Sequence, residues 1–370
     1  MRLSLVSTAI CGTLAVSALT IPQQSPVKRF ELVDLKPFED FTFELLSPEK
    51  AKAAAAADKS NVSPVAGLAS AAQNGGVAGI MAGTCKSPKV RYEWRDLTDA
   101  HKKEFVNAVK CLLNKPSAGG SNYPGSKNRY EDLVSVHQQM TPTIHMVAQF
   151  LPWHRYYLSV YESMLRDECA YTGPMPWWDE SKDAGKFSSA PMFTNAYFGS
   201  APKKTADGKG TCVNDGAFKG ITLHIGPGGS FTNHCLSRAV DESLTAQCNW
   251  DFVKSCNSHN TYSDMESCAE MGPHAYGHNG IGAVMSDVAS SPGDPAFFLH
   301  HAFVDHNWRI WQNGNTSSRL YQINGFSTRD EPRKTLTLDY VLTSKGLRPD
   351  VTVRDVMDTM GGYLCYSYNY

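Results

Sequence analysis

Several absences narrow what this 370-residue chain can be. After the first twenty residues, no run is long and apolar enough to span a bilayer. Charge is balanced, with 35 Lys and Arg against 36 Asp and Glu mixed along the chain, so no basic surface argues for nucleic acid or an anionic membrane. No two cysteines form a CxxC pair, which disfavours cysteine-held zinc, and no internal repeat of fixed period is present. These exclusions leave small-molecule chemistry as the expectation.

The compartment is legible at the start. MRLSLVSTAICGTLAVSALT sets Arg2 before an apolar run with small residues near its end, the pattern of a secretory signal, so residues 1–20 are excluded from the fold. The dibasic Lys28-Arg29 resembles a processing site, with expected cleavage after Arg29 and a mature start at Phe30. Asn61-Val62-Ser63 and Asn315-Thr316-Ser317 are glycan acceptor sequons. Nine cysteines remain once Cys11 leaves with the signal, a density that suits an oxidising compartment. The count is odd, so one thiol is expected to stay unpaired. A secreted, extracellular protein is the expectation.

Residues 21–84 read as a propeptide or low-complexity arm, rich in Ala, Gly, Ser and Asn from Ser47 onward, with a short helix expected near Glu49–Asp58. Residues 85–370 read as one globular unit. Helical periodicity marks Asp96–Leu113, Arg129–Met140, Pro152–Cys169, Met271–Met285 and Pro295–Gln312, whereas strand signals are short and scattered. Between them, Tyr171–Asn214 and Gly226–Asn260 are rich in Gly, Pro and Ser and should be long loops. The predicted class is mainly α with irregular insertions.

Six histidines fall into two sets. The first is His137, His145 and His154. Pro152 suits the first turn of a helix, and Leu158, Tyr161 and Leu165 share the face of His154, which therefore points inward. His137 follows Leu133 by one helical turn and also faces in, while His145 lies in the connection. In the second set, His274 and His278 of PHAYGHNG stand four apart and can share one metal. Further on, in DPAFFLHHAFVDHNW, Asp294 can cap a helix that Pro295 begins. Spacing leaves its adjacent histidines open: His301 shares a stripe with Phe297, Asp305 and Trp308, and His300 shares one with Val304 and Trp311. His101, His224, His234, His259 and His306 have no such company and are read as ordinary.

Ligand type then suggests the metal. The HxxxH pair lacks the glutamate of the HExxH zinc peptidases, Ala275 standing in its place. All-imidazole sites with no carboxylate suit copper, and three ligands per ion leave positions open for a small molecule. Two such ions could each supply one electron to oxygen.

PWHRYYLSVYE and DPAFFLHHAFVDHNW resemble the two copper signatures of the tyrosinase, catechol oxidase and hemocyanin family, and the likeness runs from about His137 to Trp311. The resemblance implies a four-helix-bundle core holding two copper ions. It assigns His137, His145 and His154 to one ion and His274, His278 and His301 to the other, choosing His301 over His300 as the histidine four before the helix aspartate. Tyr366-Ser367-Tyr368 resembles the tyrosine motif that closes the family's catalytic domain.

Departures from the family pattern refine the expected activity. Thr143 occupies the position of a cysteine that, in many members, is joined by a thioether to the second histidine, so no thioether is expected. Ala275 stands where good monophenol hydroxylases often carry asparagine to orient a water; Glu266 or Glu270 could hold such a water, the alternative for each being a solvated surface carboxylate, and Asn279 could partly replace the asparagine. Val288 matches the gate position, and its small side chain leaves room for substrate. The resemblance thus implies a catechol oxidase that uses O2 to turn o-diphenols, or o-aminophenols, into quinone-type products, with weak monophenol hydroxylation. A true tyrosinase and a hemocyanin-like O2 carrier would use the same ligands. A copper-free binding module is disfavoured by the presence of all six.

Overall fold

The computed structural model describes residues 45–58, 85–207 and 210–370. The expected signal, the Lys28-Arg29 cleavage and the Asn61 sequon lie outside the described residues, whereas Asn315 is exposed. Among the described residues, no helix is long and apolar enough to cross a membrane.

Local chemistry accounts for where the helices begin. Ser47 accepts the Lys50 N–H and Pro48 occupies the first turn of α1, Pro48–Ala57. Thr98 caps α2, Asp99–Asn114, and Asn128 caps α3, Arg129–Ile144. The last of these runs past the expected end at Met140 and includes Pro142. That proline is tolerated because it is exposed in the final turn, and the helix stops two residues later. Helix α4, Phe150–Cys169, begins two residues before the expected Pro152 and closes on Ala170 in a left-handed conformation. The stretch Gly226–Asn260, expected to be a loop, instead holds two short helices, α5, Glu242–Thr245, capped by Asp241, and α6, Trp250–Asn257, capped by Asn249, and α7, Tyr262–Ala269, follows it.

The expected single helix over Met271–Met285 is broken into three pieces. Glu270–His274 forms a π-turn in which Gly272 leaves helical geometry and Pro273 lacks a donor. Helix α8, Ala275–Ile281, then runs until Gly282, whose φ of 70° ends it, and Ala283–Ser286 forms a 3-10 turn. A side chain at Gly272 would meet Phe252 at 2.6 Å, so this kink is also a close approach of backbone to α6. Helix α9, Ala296–Gly314, starts as expected, with Asp294 Oδ1 accepting the Ala296 N–H at 3.0 Å.

Helix α4 is the hub, packed against α2, α3 and α9. Its buried face carries Trp153, Tyr157 and Tyr161; Trp153 stacks on Tyr157 at 4.7 Å, and Tyr161 on Phe298 of α9 at 3.7 Å. Strands are few: Lys89–Glu93 pairs in parallel with Pro176–Trp177 and with Tyr366–Tyr368, joining the start and end of the body. Disulfides reinforce this closure. Cys85–Cys365 spans 280 residues, and Cys111–Cys169, Cys212–Cys235 and Cys256–Cys268 staple shorter segments. Among the described residues, Cys248 is the unpaired thiol, and it is buried. The arm is better packed than its composition suggests. Ala51 is fully buried beside Phe252, Cys256 and Cys268, because a small side chain lets α1 approach α6 closely.

Candidate metal centre

Helices α3 and α4 deliver the first three histidines. His137 and His154 project from helices into the core, and His145 sits in extended conformation just past the end of α3. The second set comes from the π-turn with α8 and from α9. Their ligand atoms converge in two groups, His137 with His145 and His154, and His274 with His278, His300 and His301, all within 4.8 Å of one another in each group. None of the seven is more than 3% exposed.

Backbone carbonyls orient five of these rings. Nδ1 of His137 donates to Ala289 at 2.9 Å, of His145 to Thr141 at 3.3 Å, and of His154 to Phe150 at 2.9 Å. In the second group, Nδ1 of His274 donates to Glu270 at 3.0 Å and of His278 to Met285 at 2.8 Å. A carbonyl only accepts, so Nδ1 carries the proton and Nε2 keeps its lone pair for the interior. Nε2 of His137, His154 and His274 is buried with no hydrogen-bond partner, an arrangement that is costly unless something electrophilic sits there. Burial also pushes the rings toward neutrality: desolvation lowers His137 to about 4 and holds His145, His154, His274, His278 and His301 well below the ordinary value. These are neutral, preoriented nitrogen donors at neutral pH.

The two groups face each other. His154 and His301 stack with centroids 4.4 Å apart and planes 12° from parallel, and His145 lies 6.5 Å from His274. Phe297 packs 4.1 Å from His301, and Phe150 packs 4.7 Å from both His154 and His274, keeping the walls apolar.

His300 and His301 occupy different surroundings. His301 Nε2 lies 3.2 Å from His278 Nε2, the separation of two donors sharing one small ion. His300 instead places Nδ1 2.6 Å from Glu180 Oε1, both side chains being wholly buried, with its ring 5.3 Å from His274 and 4.5 Å from His278. Gly277 makes room for this pair: a β-carbon there would meet His300 at 2.5 Å and Glu180 at 2.9 Å. Glu180 has no signature in the sequence, but the glycine inside HAYGH was a usable one.

Of the remaining expected residues, Ala275 is buried at the head of α8, and Asn279 is half-buried with Oδ1 unpaired. Val288 is half-buried and precedes Ala289, the carbonyl that orients His137. Thr143 is exposed and donates to Met140, so nothing links it to His145. Glu270 and Glu266 are not solvated surface acids, the alternative weighed for them: both are at least 94% buried because α7 and the π-turn fold them beneath residues 145–148. Glu270 accepts the Met146 N–H on both oxygens, at 2.8 and 3.0 Å. Desolvation raises Glu270 to about 8 and Glu266 well above the carboxylate range. Both line a cavity of about 570 Å³ with Met146, Val147, Phe326 and Arg329. His224, His234 and His306 lie apart from the cluster, bonded to Glu131, Thr232 and Tyr370 respectively.

Residues 127–314 match the family model of the common central domain of tyrosinase. The tyrosinase-like protein phomQ2 of Diaporthe leptostromiformis is 32% identical over 294 residues, covering 77% of this chain and 74% of that protein. N-acetyl-6-hydroxytryptophan oxidase ivoB of Emericella nidulans is 30% identical, over 76% of this chain and 93% of the relative. Among solved structures, a polyphenol oxidase from Thermothelomyces thermophila superposes with a TM-score of 0.69 at 28% identity, covering 76% of this chain and 89% of that one.

Proposed function

The chain belongs to the tyrosinase family of copper oxidases, and from that premise we propose that it oxidises o-diphenols, and o-aminophenols, to quinone-type products with O2. One observation carries this reading: two groups of buried, neutral imidazoles face each other with Nε2 lone pairs turned inward. Their donor set fits copper, being all nitrogen with no carboxylate among the convergent atoms. His137, His145 and His154 would hold one ion, and His274, His278 and His301 the second. The choice of His301 is supported by its approach to His278 and its stacking on His154, whereas Glu180 retains His300.

Copper, when bound, supplies the redox chemistry between O2 and the phenol. The protein does the rest. Carbonyl-anchored Nδ1 atoms fix five of the six rings without a flexible intermediary, and stacking on His154 and Phe297 positions His301. Phe150 and Phe297 keep the walls dry and aromatic. Two diphenols surrender four electrons and four protons to one O2, leaving two quinones and two waters, so no protein nucleophile is required.

Weak monophenol hydroxylation is part of the proposal. Ala275 offers no polar atom, and both Glu270 oxygens are engaged by the Met146 N–H, which leaves the acid serving as a backbone clamp. Secretion is also part of it, supported by four disulfides among the described residues, with 1–20 as signal, 21–84 as arm and 85–370 as copper domain. Oxygen uptake by the copper-loaded chain tests the activity: steady consumption with catechol is expected, with far slower consumption on a matching monophenol. Reversible O2 binding without turnover would make the protein a carrier, and equal rates on the two phenols would make it a true tyrosinase.

A further inference from the structure

A third group of ligand-type side chains lies away from the six histidines. Asp58, at the C-terminal end of α1, His259, between α6 and α7, and Asp264, in the first turn of α7, bring one donor atom each within 4.8 Å of the others. His259 is 5% exposed, and its Nδ1 is buried with no hydrogen-bond partner, 3.6 Å from Asp58 Oδ2. Its backbone is pinned, since the His259 carbonyl accepts from Trp311 Nε1 at 2.8 Å and from Arg319 at 3.3 Å. The ring is therefore held in place with an unmatched nitrogen turned toward carboxylates. Asp58 Oδ2 also accepts the Asn260 N–H at 2.9 Å, and Asp264 Oδ2 accepts from Thr261 at 2.5 Å, which orients both acids.

We propose that Asp58, His259 and Asp264 form a site for a zinc-like divalent cation that fastens the C-terminal end of α1 to the body. Two carboxylates and a neutral imidazole balance a double positive charge, and a mixed nitrogen and oxygen set suits a borderline ion. Tetrahedral zinc at ordinary bond lengths separates its donors by roughly 3.4 Å, close to the 3.6 Å found between His259 and Asp58. Asp264 is exposed, so water completes the shell. The ligands come from two separate parts of the chain, and the ion would join them. Helix α1 packs on α6 through Ala51 against Phe252, Cys256 and Cys268, and the Leu46 N–H just before it donates to the Met271 carbonyl at 3.1 Å. Met271 lies in the π-turn that presents His274, so the fastening braces the arm against the second histidine group.

Zinc titrated into the copper-loaded full chain, followed by desalting and elemental analysis, tests the site. Wild type is expected to keep one metal ion per chain more than His259→Gln and Asp264→Asn, whether zinc or copper taken up during loading. Asp264→Asn preserves the contact with Thr261 and so guards against simple misfolding. Equal metal content in all three chains overturns the proposal. Hydrogen exchange supplies the second reading: zinc should slow the Asp58 amide, which donates to Ala54, roughly tenfold in wild type and leave it unchanged in His259→Gln. Exchange that ignores zinc in wild type overturns the fastening.

Discussion

The guanidinium of Arg155 meets the carboxylate of Asp305 with Nε and Oδ1 2.5 Å apart, both side chains being at most 3% exposed. Arg155 follows His154 directly, and Asp305 lies one helical turn after His301. The pair thus bolts α4 to α9 beside the two rings that stack across the centre. Arg155 also caps the carbonyls of Val356 and Met357, and Asp305 Oδ2 accepts from Tyr366 and Tyr368, both at 2.5 Å. The C-terminal tyrosine motif is therefore part of the bolt.

Removing one partner leaves a buried charge. Arg155→Met is expected to destabilise the metal-free chain by about 3–5 kcal/mol, lowering its thermal midpoint by on the order of 10 °C. Tyr368→Phe, which removes one of several bonds to Asp305, should cost about 1 kcal/mol. Thermal unfolding followed by circular dichroism measures both. A midpoint for Arg155→Met within a degree or two of wild type would contradict the clamp.

Adjacent histidines should separate cleanly. His301→Ala is expected to lower bound copper from two ions to about one per chain and to abolish oxygen uptake. His300→Ala should retain both ions while its thermal midpoint falls, because it strands buried Glu180. Elemental analysis of the two purified variants decides; the reverse pattern would reassign the third ligand.

Gly277→Ala places a methyl group 2.5 Å from His300 and 2.9 Å from Glu180. Neither neighbour can retreat, as both are wholly buried. A loss of about 1–3 kcal/mol is expected, with weaker copper retention by the second set under dialysis against a chelator. Unchanged stability in a urea titration would show that the Glu180–His300 pair has slack.

Two buried groups give the metal-free chain opposing pH dependences. His137 titrates at about 4 in the fold against about 6.5 when unfolded, so the unfolded chain binds more protons between these values and stability falls as pH drops through that window. Glu270 titrates at about 8 when folded against about 4.5 unfolded, so the folded chain holds the extra proton and stability falls as pH rises from 4.5 through 8. Glu270→Gln, which cannot ionise, should shrink the alkaline limb, to which buried Glu266 also contributes, and leave the acid limb in place. Urea midpoints from pH 4 to 9 provide the check, and an unaltered alkaline limb would show that Glu270 is not its source.

Much of the centre was readable because helices report themselves by period and cap. Leu158, Tyr161 and Leu165 already turn His154 inward, and Asp294 accepts the Ala296 N–H at the start of α9, although Pro295 rather than Asp294 occupies the cap position. What escaped the sequence depended on contacts distant along the chain. Glu180 meets His300 across 120 residues, and nothing local to either names the other. Apolar spacing makes Met271–Met285 look continuous, yet Gly272 and Gly282 leave helical geometry and Pro273 lacks a backbone donor. Glu266 and Glu270 looked solvated because carboxylates usually are; only the packing of residues 145–148 over them reveals otherwise.

The Cys85–Cys365 bond makes the body a covalent ring. A single protease cut anywhere between those cysteines leaves one molecule, with every histidine of the centre still attached to the others. Residues before Cys85 are not part of that covalent ring. Any cut before Cys85 therefore leaves the ring closed, so a cut there and a cut within the body are topologically separate events.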